Sequence, residues 1–111
     1  MITIYHNPRC SKSRQTLKLL QDSGKEFSVV AYLDLPLTKK QLKELCEKLD
    51  MNPQEITRTN EAIFKTLEKP TTDAQWLDAI AAHPILMQRP IVVKGDKATI
   101  GRPPENVLGF L

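Results

Sequence analysis

The segment that decides the fold is HNPRCSKSR, residues 6–14, which joins a predicted strand to a predicted helix. Residues 2–5, which precede it, are mostly β-branched or aromatic and predict a strand. Asn7-Pro8 is a turn dipeptide, and residues 13–21 are good helix formers that end before a glycine. Cys10 is therefore predicted in the first turn of the helix or just before it.

A cysteine in this position has physical reasons to be reactive. Unpaired N–H groups and the positive end of the helix dipole meet at a helix start. Arg9, Lys12 and Arg14 add positive charge, and a protonated His6 would add more. All of these favour the thiolate, which is the nucleophilic form of Cys10. The same N–H groups would hold an oxyanion, so this segment is a candidate for both the attacking atom and part of a substrate site.

Length and composition indicate one domain, 1–111, because 111 residues with 41% hydrophobic content bury a single modest core. There is no apolar run of eighteen residues, and the first strand is too short and lacks the basic start of a secretory signal. We therefore expect no membrane association and a cytoplasmic location, with Cys10 and Cys46 both reduced. The net charge of +3 is spread over the chain, and 5% aromatic residues without a basic cluster predict no nucleic-acid partner.

The remaining pattern predicts an α/β fold. A second strand at 26–32 completes a βαβ unit with parallel strands. A helical insertion follows at about 38–83, with capping signals at Thr38 and Thr72 and an apolar stripe that makes Cys46 a buried side chain. Within it we predict a short helix after Asn52-Pro53 that reaches Arg58, and a helical piece at 61–64.

Two strands at 91–93 and 98–100 are predicted to form an antiparallel hairpin, followed by a terminal helix at about 105–110. The resulting order of elements is βαβ, helical insertion, ββα. This order is the layout of a thioredoxin-like mixed sheet with helices on its faces.

Spacing around Cys10 excludes several thiol motifs. Position 13 is serine, so there is no C-x-x-C pair, and position 16 is threonine where a phosphatase-type loop has arginine. A monothiol C-x-x-S arrangement remains, in which an external thiol such as glutathione resolves the Cys10 adduct. His6 and His83 lack partners at metal-ligand spacing, so we expect no metal. We also expect no tightly bound cofactor.

Two further sets of side chains are candidates for the site. His6 has two interpretations, either a turn histidine bonded to backbone or a group that stabilises the Cys10 thiolate. Arg58, Arg89 and Arg102 lie at the edges of predicted elements, where sites are usually built. Convergence of their guanidinium groups on the thiolate would suit a tetrahedral oxyanion.

Three separated motifs resemble the glutaredoxin-linked arsenate reductase family across essentially the whole chain. They are HNPRCSKSRQTL at 6–17, HPILMQRPIVV at 83–93 and GRP at 101–103. The resemblance implies a thioredoxin-like fold with a helical insertion, with Cys10 as nucleophile and His6 as the residue that helps keep it ionised. It also implies that Arg58, Arg89 and Arg102 hold the oxyanion and the arsenic adduct, and that the Arg89-Pro90 peptide bond is cis.

The activity implied by this resemblance is reduction of arsenate, or a similar small oxyanion, to arsenite. Cys10 would attack arsenic, glutathione would act as co-substrate, and glutaredoxin would restore the thiol. Two alternatives remain open. One is a general glutathione-dependent thiol oxidoreductase, and the other is a non-enzymatic thioredoxin-like transcription regulator that contacts RNA polymerase.

Overall fold

The computed structural model describes all residues, Met1–Leu111, and the chain forms two compact units. The first unit combines Met1–Leu35 with Arg89–Leu111, and the second is Pro36–Gln88. The helical insertion predicted at about 38–83 falls within the second unit, and the expectation of one domain over 1–111 stays a prediction. No helix in the chain has the length and hydrophobicity needed to cross a membrane.

The first unit contains a four-stranded mixed sheet. Its elements in chain order are β1 (Ile2–Tyr5), α1 (Ser11–Asp22), β2 (Phe27–Val30), β3 (Ile91–Lys94), β4 (Lys97–Ile100) and a 3-10 helix (Pro104–Val107). The strand order is β2-β1-β3-β4, with β1 and β2 parallel and the other two pairs antiparallel. These elements confirm the predicted βαβ unit, the hairpin and the thioredoxin-like mixed sheet.

Side chains along β1 alternate between the two faces of the sheet, and those on one face form the core of this unit. Ile2 and Ile4 are buried on one face of the sheet, against Leu20 of α1 and Val92 of β3. The final 3-10 helix contributes Val107, and the burial of these apolar side chains provides most of the driving force for packing. The helix α1 is thereby fixed on the sheet, and its first turn is placed at the carboxyl end of β1.

Gly101 allows α1 to approach the end of β4 closely. A Cβ atom at this residue would lie 2.6 Å from Thr16 Oγ1 and 2.9 Å from Pro90 Cγ, which is too short for real contacts. The Gly101 amide also donates to the Pro90 carbonyl, with an N···O distance of 2.9 Å. Glycine is therefore required here for packing, and it holds the segments that precede β3 and follow β4 next to each other.

The Arg89-Pro90 peptide bond is cis, which confirms the prediction. The Arg102-Pro103 bond is also cis, which was not predicted from the sequence. Each of these bonds directly follows an arginine that the sequence placed in the candidate site.

The second unit is helical, and its two α-helices begin as the sequence predicts. They are α2 (Lys39–Leu49) and α3 (Asp73–Ala82), with 3-10 helices at Ala62–Thr66 and Pro84–Leu86. The side chains of Thr38 and Thr72 each accept a hydrogen bond from the amide three residues on, where the residue is a glutamine. The Oε1 atom of that glutamine accepts from the threonine amide, so both helices have complete capping boxes. Cys46 is buried on the apolar face of α2, as predicted.

Two short helices predicted from the sequence are corrected by the structure. After Asn52, whose side chain and amide exchange hydrogen bonds with Glu55, the chain makes only a turn and then a bridge between Thr57 and Met87. The hydrogen bonds between Asn52 and Glu55 are those of a helix start, but pairing with a distant segment prevents a helix from continuing. Arg58 therefore follows a bridge instead of a helix end. The terminal helix is limited to the 3-10 turn at Pro104–Val107.

Candidate active site

Cys10 is the N-cap residue of α1, with an extended backbone conformation at φ −96° and ψ 123°. The loop before it is held by Asn7, whose side-chain oxygen accepts from the Arg9 amide at 3.0 Å and whose carbonyl accepts from the Cys10 amide at 3.0 Å. This is the turn that an Asn-Pro pair favours. Cys10 as a whole residue is only partly buried, in contrast to Cys46.

A second contact fixes the loop from the helix side. Arg14 donates from Nη1 to the Pro8 carbonyl at 2.9 Å, which ties the first helical turn to the residues before Cys10. The N-terminal turn of α1 contains no acidic residue, so nothing on the helix opposes negative charge at its start.

The surroundings of Cys10 favour its thiolate. Burial by itself raises the pKa of the thiol, but the Ser13 backbone amide, the Arg89 guanidinium and the Lys12 backbone amide outweigh it, and the pKa is lowered overall. Donated hydrogen bonds and positive charge both favour the anionic form of an acid, which lowers its pKa. Cys10 is therefore a candidate nucleophile on physical grounds.

His6 lies at the end of β1, where its amide donates to the Val30 carbonyl at 2.9 Å. Its side chain is buried, and Nδ1 lies 2.7 Å from Ser13 Oγ. Burial, and after it the positive charge of Arg14, lower the pKa of His6. Both effects disfavour the cationic imidazole, so they argue against the expected contribution of a protonated His6 to the positive surroundings of Cys10. That His6 assists Cys10 stays a prediction.

The three predicted arginines have different surroundings. Arg89, next to the cis proline before β3, is directed at the Cys10 sulfur and stabilises its thiolate. Arg102 is exposed and donates from Nη1 to the Arg89 carbonyl at 3.4 Å, which places these two guanidinium-bearing residues in one region. Arg58 lies in the second unit, where its Nε donates to Glu61 Oε1 at 3.2 Å. Its participation in the site stays a prediction.

Ser13 is a residue of the site for which the sequence predicted no function. Position 13 stood out only because it lacks the second cysteine of a C-x-x-C pair, although a small hydroxyl residue in the first turn of a helix is well placed to bond the preceding loop. Asn7 was identified as a turn residue, but its hydrogen bonds around Cys10 depend on three-dimensional contacts. No group of three or more His, Cys, Asp or Glu side chains lies together as a potential metal site.

Cys46 has the opposite environment. Burial raises the pKa of its thiol, the nearby Asp73 and Glu47 carboxylates raise it further, and it reaches about 11. At neutral pH this thiol is protonated and has little access to solvent, so it is unreactive.

The two thiols should therefore differ sharply towards alkylation. At pH 7 we expect limited iodoacetamide to modify Cys10 at least about tenfold faster than Cys46, because only the thiolate reacts. Peptide mass mapping after short exposures measures both rates. Raising the pH should increase labelling of Cys46 only as the pKa of about 11 is approached. Equal labelling of the two cysteines at pH 7 would contradict the assignment.

The sequence model of the ArsC family matches residues 5–110. An Escherichia coli K12 protein of uncharacterised function, YfgD, is 46% identical over 111 residues, which are 96% of this chain and 93% of that protein. A Haemophilus influenzae arsenate reductase is 41% identical and covers 99% of this chain, with 98% of its own length matched. The structure of an arsenate reductase from Vibrio cholerae gives a TM-score of 0.94 at 41% identity, covering 99% of this chain and 97% of that one.

Proposed function

Because the chain belongs to the ArsC family, we propose that it is an arsenate reductase in which Cys10 is the only nucleophilic cysteine and glutathione with glutaredoxin supplies the electrons. The observation that carries the proposal is the Cys10 thiol at the start of α1, with its pKa lowered beside Arg89. A thiolate next to a guanidinium group is suited to attack an anionic centre that the same positive charge attracts.

In the first step the Cys10 thiolate attacks arsenic(V). A sulfur–arsenic bond forms, an arsenic–oxygen bond breaks, and the oxygen leaves as water after taking up protons. Arg89 and Arg102, both in the first unit, would neutralise the oxyanion, together with the N–H groups at the start of α1. Arg58 is proposed as a further oxyanion ligand on the basis of the family resemblance alone.

The second step needs an external thiol. The residue at the C-x-x-C position is Ser13, whose side chain is buried and bonded to His6, so α1 offers no second sulfur to Cys10. Glutathione would therefore attack, a sulfur–sulfur bond would form to Cys10, and the electron pair of the sulfur–arsenic bond would leave with arsenic as arsenite. Two thiols are oxidised to a mixed disulfide and arsenic gains two electrons, so the step balances.

Glutaredoxin would then reduce the mixed disulfide and return Cys10 to the thiol. Neither step requires a tightly bound cofactor, since all electrons come from thiols. We place this chemistry in the cytoplasm, because a catalytic monothiol and its glutathione supply both depend on a reducing compartment.

The proposal is tested by a reconstituted assay. The full chain is incubated with arsenate, glutathione and a glutaredoxin, and arsenite is measured. We expect release that depends on all three additions and that falls to background when either reductant is omitted. If no arsenite forms while glutathione mixed disulfides are reduced, the chain is a general thiol oxidoreductase. If neither reaction occurs and RNA polymerase is bound, the non-enzymatic alternative is correct.

A further inference from the structure

Ser13 lies at the centre of a buried hydrogen-bond network beside Cys10. Its side chain has no solvent exposure. Its Oγ accepts from the Asn7 amide at 3.0 Å and lies 2.7 Å from Nδ1 of His6. The backbone amide of the same residue stabilises the Cys10 thiolate. Ser13 thus links the loop, the imidazole and the nucleophile.

The position of the protons in this network follows from its donors and acceptors. The Asn7 amide is a donor, so it cannot accept the Ser13 hydroxyl proton. Since Oγ has no other partner, the proton is donated to Nδ1 of His6. Nδ1 must then carry a lone pair, and the single proton of the imidazole ring lies on Nε2. A protonated His6 would leave the buried hydroxyl proton without an acceptor, which is unfavourable.

The charges near the network favour the same state. Arg14, on α1, lies close enough to His6 to disfavour its cationic form, and burial acts in the same direction. Arg89, before β3, is the charged side chain directed at Cys10 and is also positive. Arg14 would repel a cationic imidazole at His6, and Arg89 already supplies positive charge at Cys10.

We propose that Ser13 is a positioning residue through which a neutral His6 assists Cys10. The hydrogen bonds of its hydroxyl to His6 and Asn7 fix the first turn of α1, so that the Ser13 amide stays directed at the Cys10 sulfur. His6 therefore acts by accepting a hydrogen bond and not by carrying positive charge. This inference rests on Cys10 being the nucleophile of the proposed function, but it does not depend on arsenate being the substrate.

The test measures the pH profile of Cys10 alkylation by iodoacetamide in the full chain. Ser13→Ala should move the profile to higher pH and lower the rate at neutral pH roughly three- to tenfold, since a shift of one pKa unit changes the thiolate fraction tenfold. Ser11→Ala, which removes an exposed hydroxyl from the same helical turn, is the matched control and should leave the profile unchanged.

Two variants at His6 separate the neutral from the cationic role. Asparagine offers an oxygen near the position of Nδ1 but carries no charge, whereas alanine offers neither. The His6→Asn profile should therefore lie closer to that of the wild type than the His6→Ala profile does. Nitrogen NMR of the wild-type imidazole at pH 7 should show the neutral form with its proton on Nε2.

Three results would overturn the inference. The first is an unchanged profile in folded Ser13→Ala, and the second is equal slowing by His6→Asn and His6→Ala. The third is a cationic or Nδ1-protonated His6 in the wild type, which remains measurable if Ser13→Ala does not fold. Expected shifts in alkylation without arsenite release would refute the proposed substrate and leave this inference standing.

Discussion

Cys10→Ser is expected to release no measurable arsenite in the glutathione and glutaredoxin assay, a loss of at least about a thousandfold. The serine hydroxyl stays protonated at neutral pH, so it attacks arsenic poorly. It also cannot form the sulfur–sulfur bond, and arsenic gains its two electrons only when that bond forms. The variant should fold, because serine is smaller than cysteine and is favoured at the N-cap position that Cys10 occupies.

Cys46→Ser is the matched control for this prediction. The thiol of Cys46 is buried, and its pKa of about 11 keeps it protonated. The variant should therefore keep most of the wild-type turnover at temperatures where it is folded, which circular dichroism can establish. If folded Cys46→Ser is as inactive as Cys10→Ser, the mechanism uses two cysteines of this chain and the monothiol scheme is wrong.

Arg89→Ala is expected to lower kcat/KM for arsenate about ten- to a hundredfold. A charge-assisted hydrogen bond contributes about 1.5–3 kcal/mol, and each 1.36 kcal/mol changes a rate tenfold. Arg89→Lys should recover only part of this loss, because lysine keeps the charge but lacks the planar pair of donors. Lys97→Ala, which removes an exposed cation of β4, controls for the general change in surface charge.

Comparing Arg89 with Arg102 separates activation of the nucleophile from binding of the oxyanion. Arg89 lowers the pKa of Cys10, so Arg89→Ala should also move the alkylation profile of Cys10 to higher pH. Arg102 bonds to the Arg89 carbonyl and is not among the groups that lower that pKa, so Arg102→Ala should affect turnover while nearly preserving the profile. Unchanged turnover in both alanine variants would remove the arginines from the proposed oxyanion site.

Local sequence signals were enough to predict most of the elements. The capping boxes at Thr38 and Thr72 are correct because all of their hydrogen bonds form within four residues of each other. The position of Cys10 at the start of α1 is correct for a similar reason, since the Asn-Pro turn and the helix formers after it are contiguous. The helix predicted after Asn52 does not form because Thr57 pairs with Met87, which is distant in the sequence.

The chemistry of the site was harder to predict than its location. The neutral state of His6 depends on burial, on Ser13 and on Arg14, and none of these influences is visible as a motif. Likewise, the approach of Arg89 to Cys10 depends on the pairing of β1 with β3, a long-range contact. For these residues the resemblance to a family supplied a role, but not the protonation state through which the role is performed.

The start of α1 also couples the ionisation of Cys10 to folding stability. Both other α-helices are capped by threonine, whereas the N-cap of α1 is a cysteine, a poor cap until its sulfur carries a negative charge. Because the folded state lowers the pKa of Cys10, ionisation stabilises the fold. This contribution is complete above the pKa of an unfolded cysteine, about 8.5, and is lost as the pH falls through the lower folded value.

A mixed disulfide with glutathione removes the thiolate charge of Cys10 at any pH. The sulfur is then no longer an anion at the helix start, and the stabilisation that ionisation gave to the fold is lost. The mixed-disulfide intermediate of the proposed cycle therefore rests on a less stable fold than the free thiolate does. The return of Cys10 to its ionised form is favoured by the protein itself, in addition to the reducing power of the external thiols.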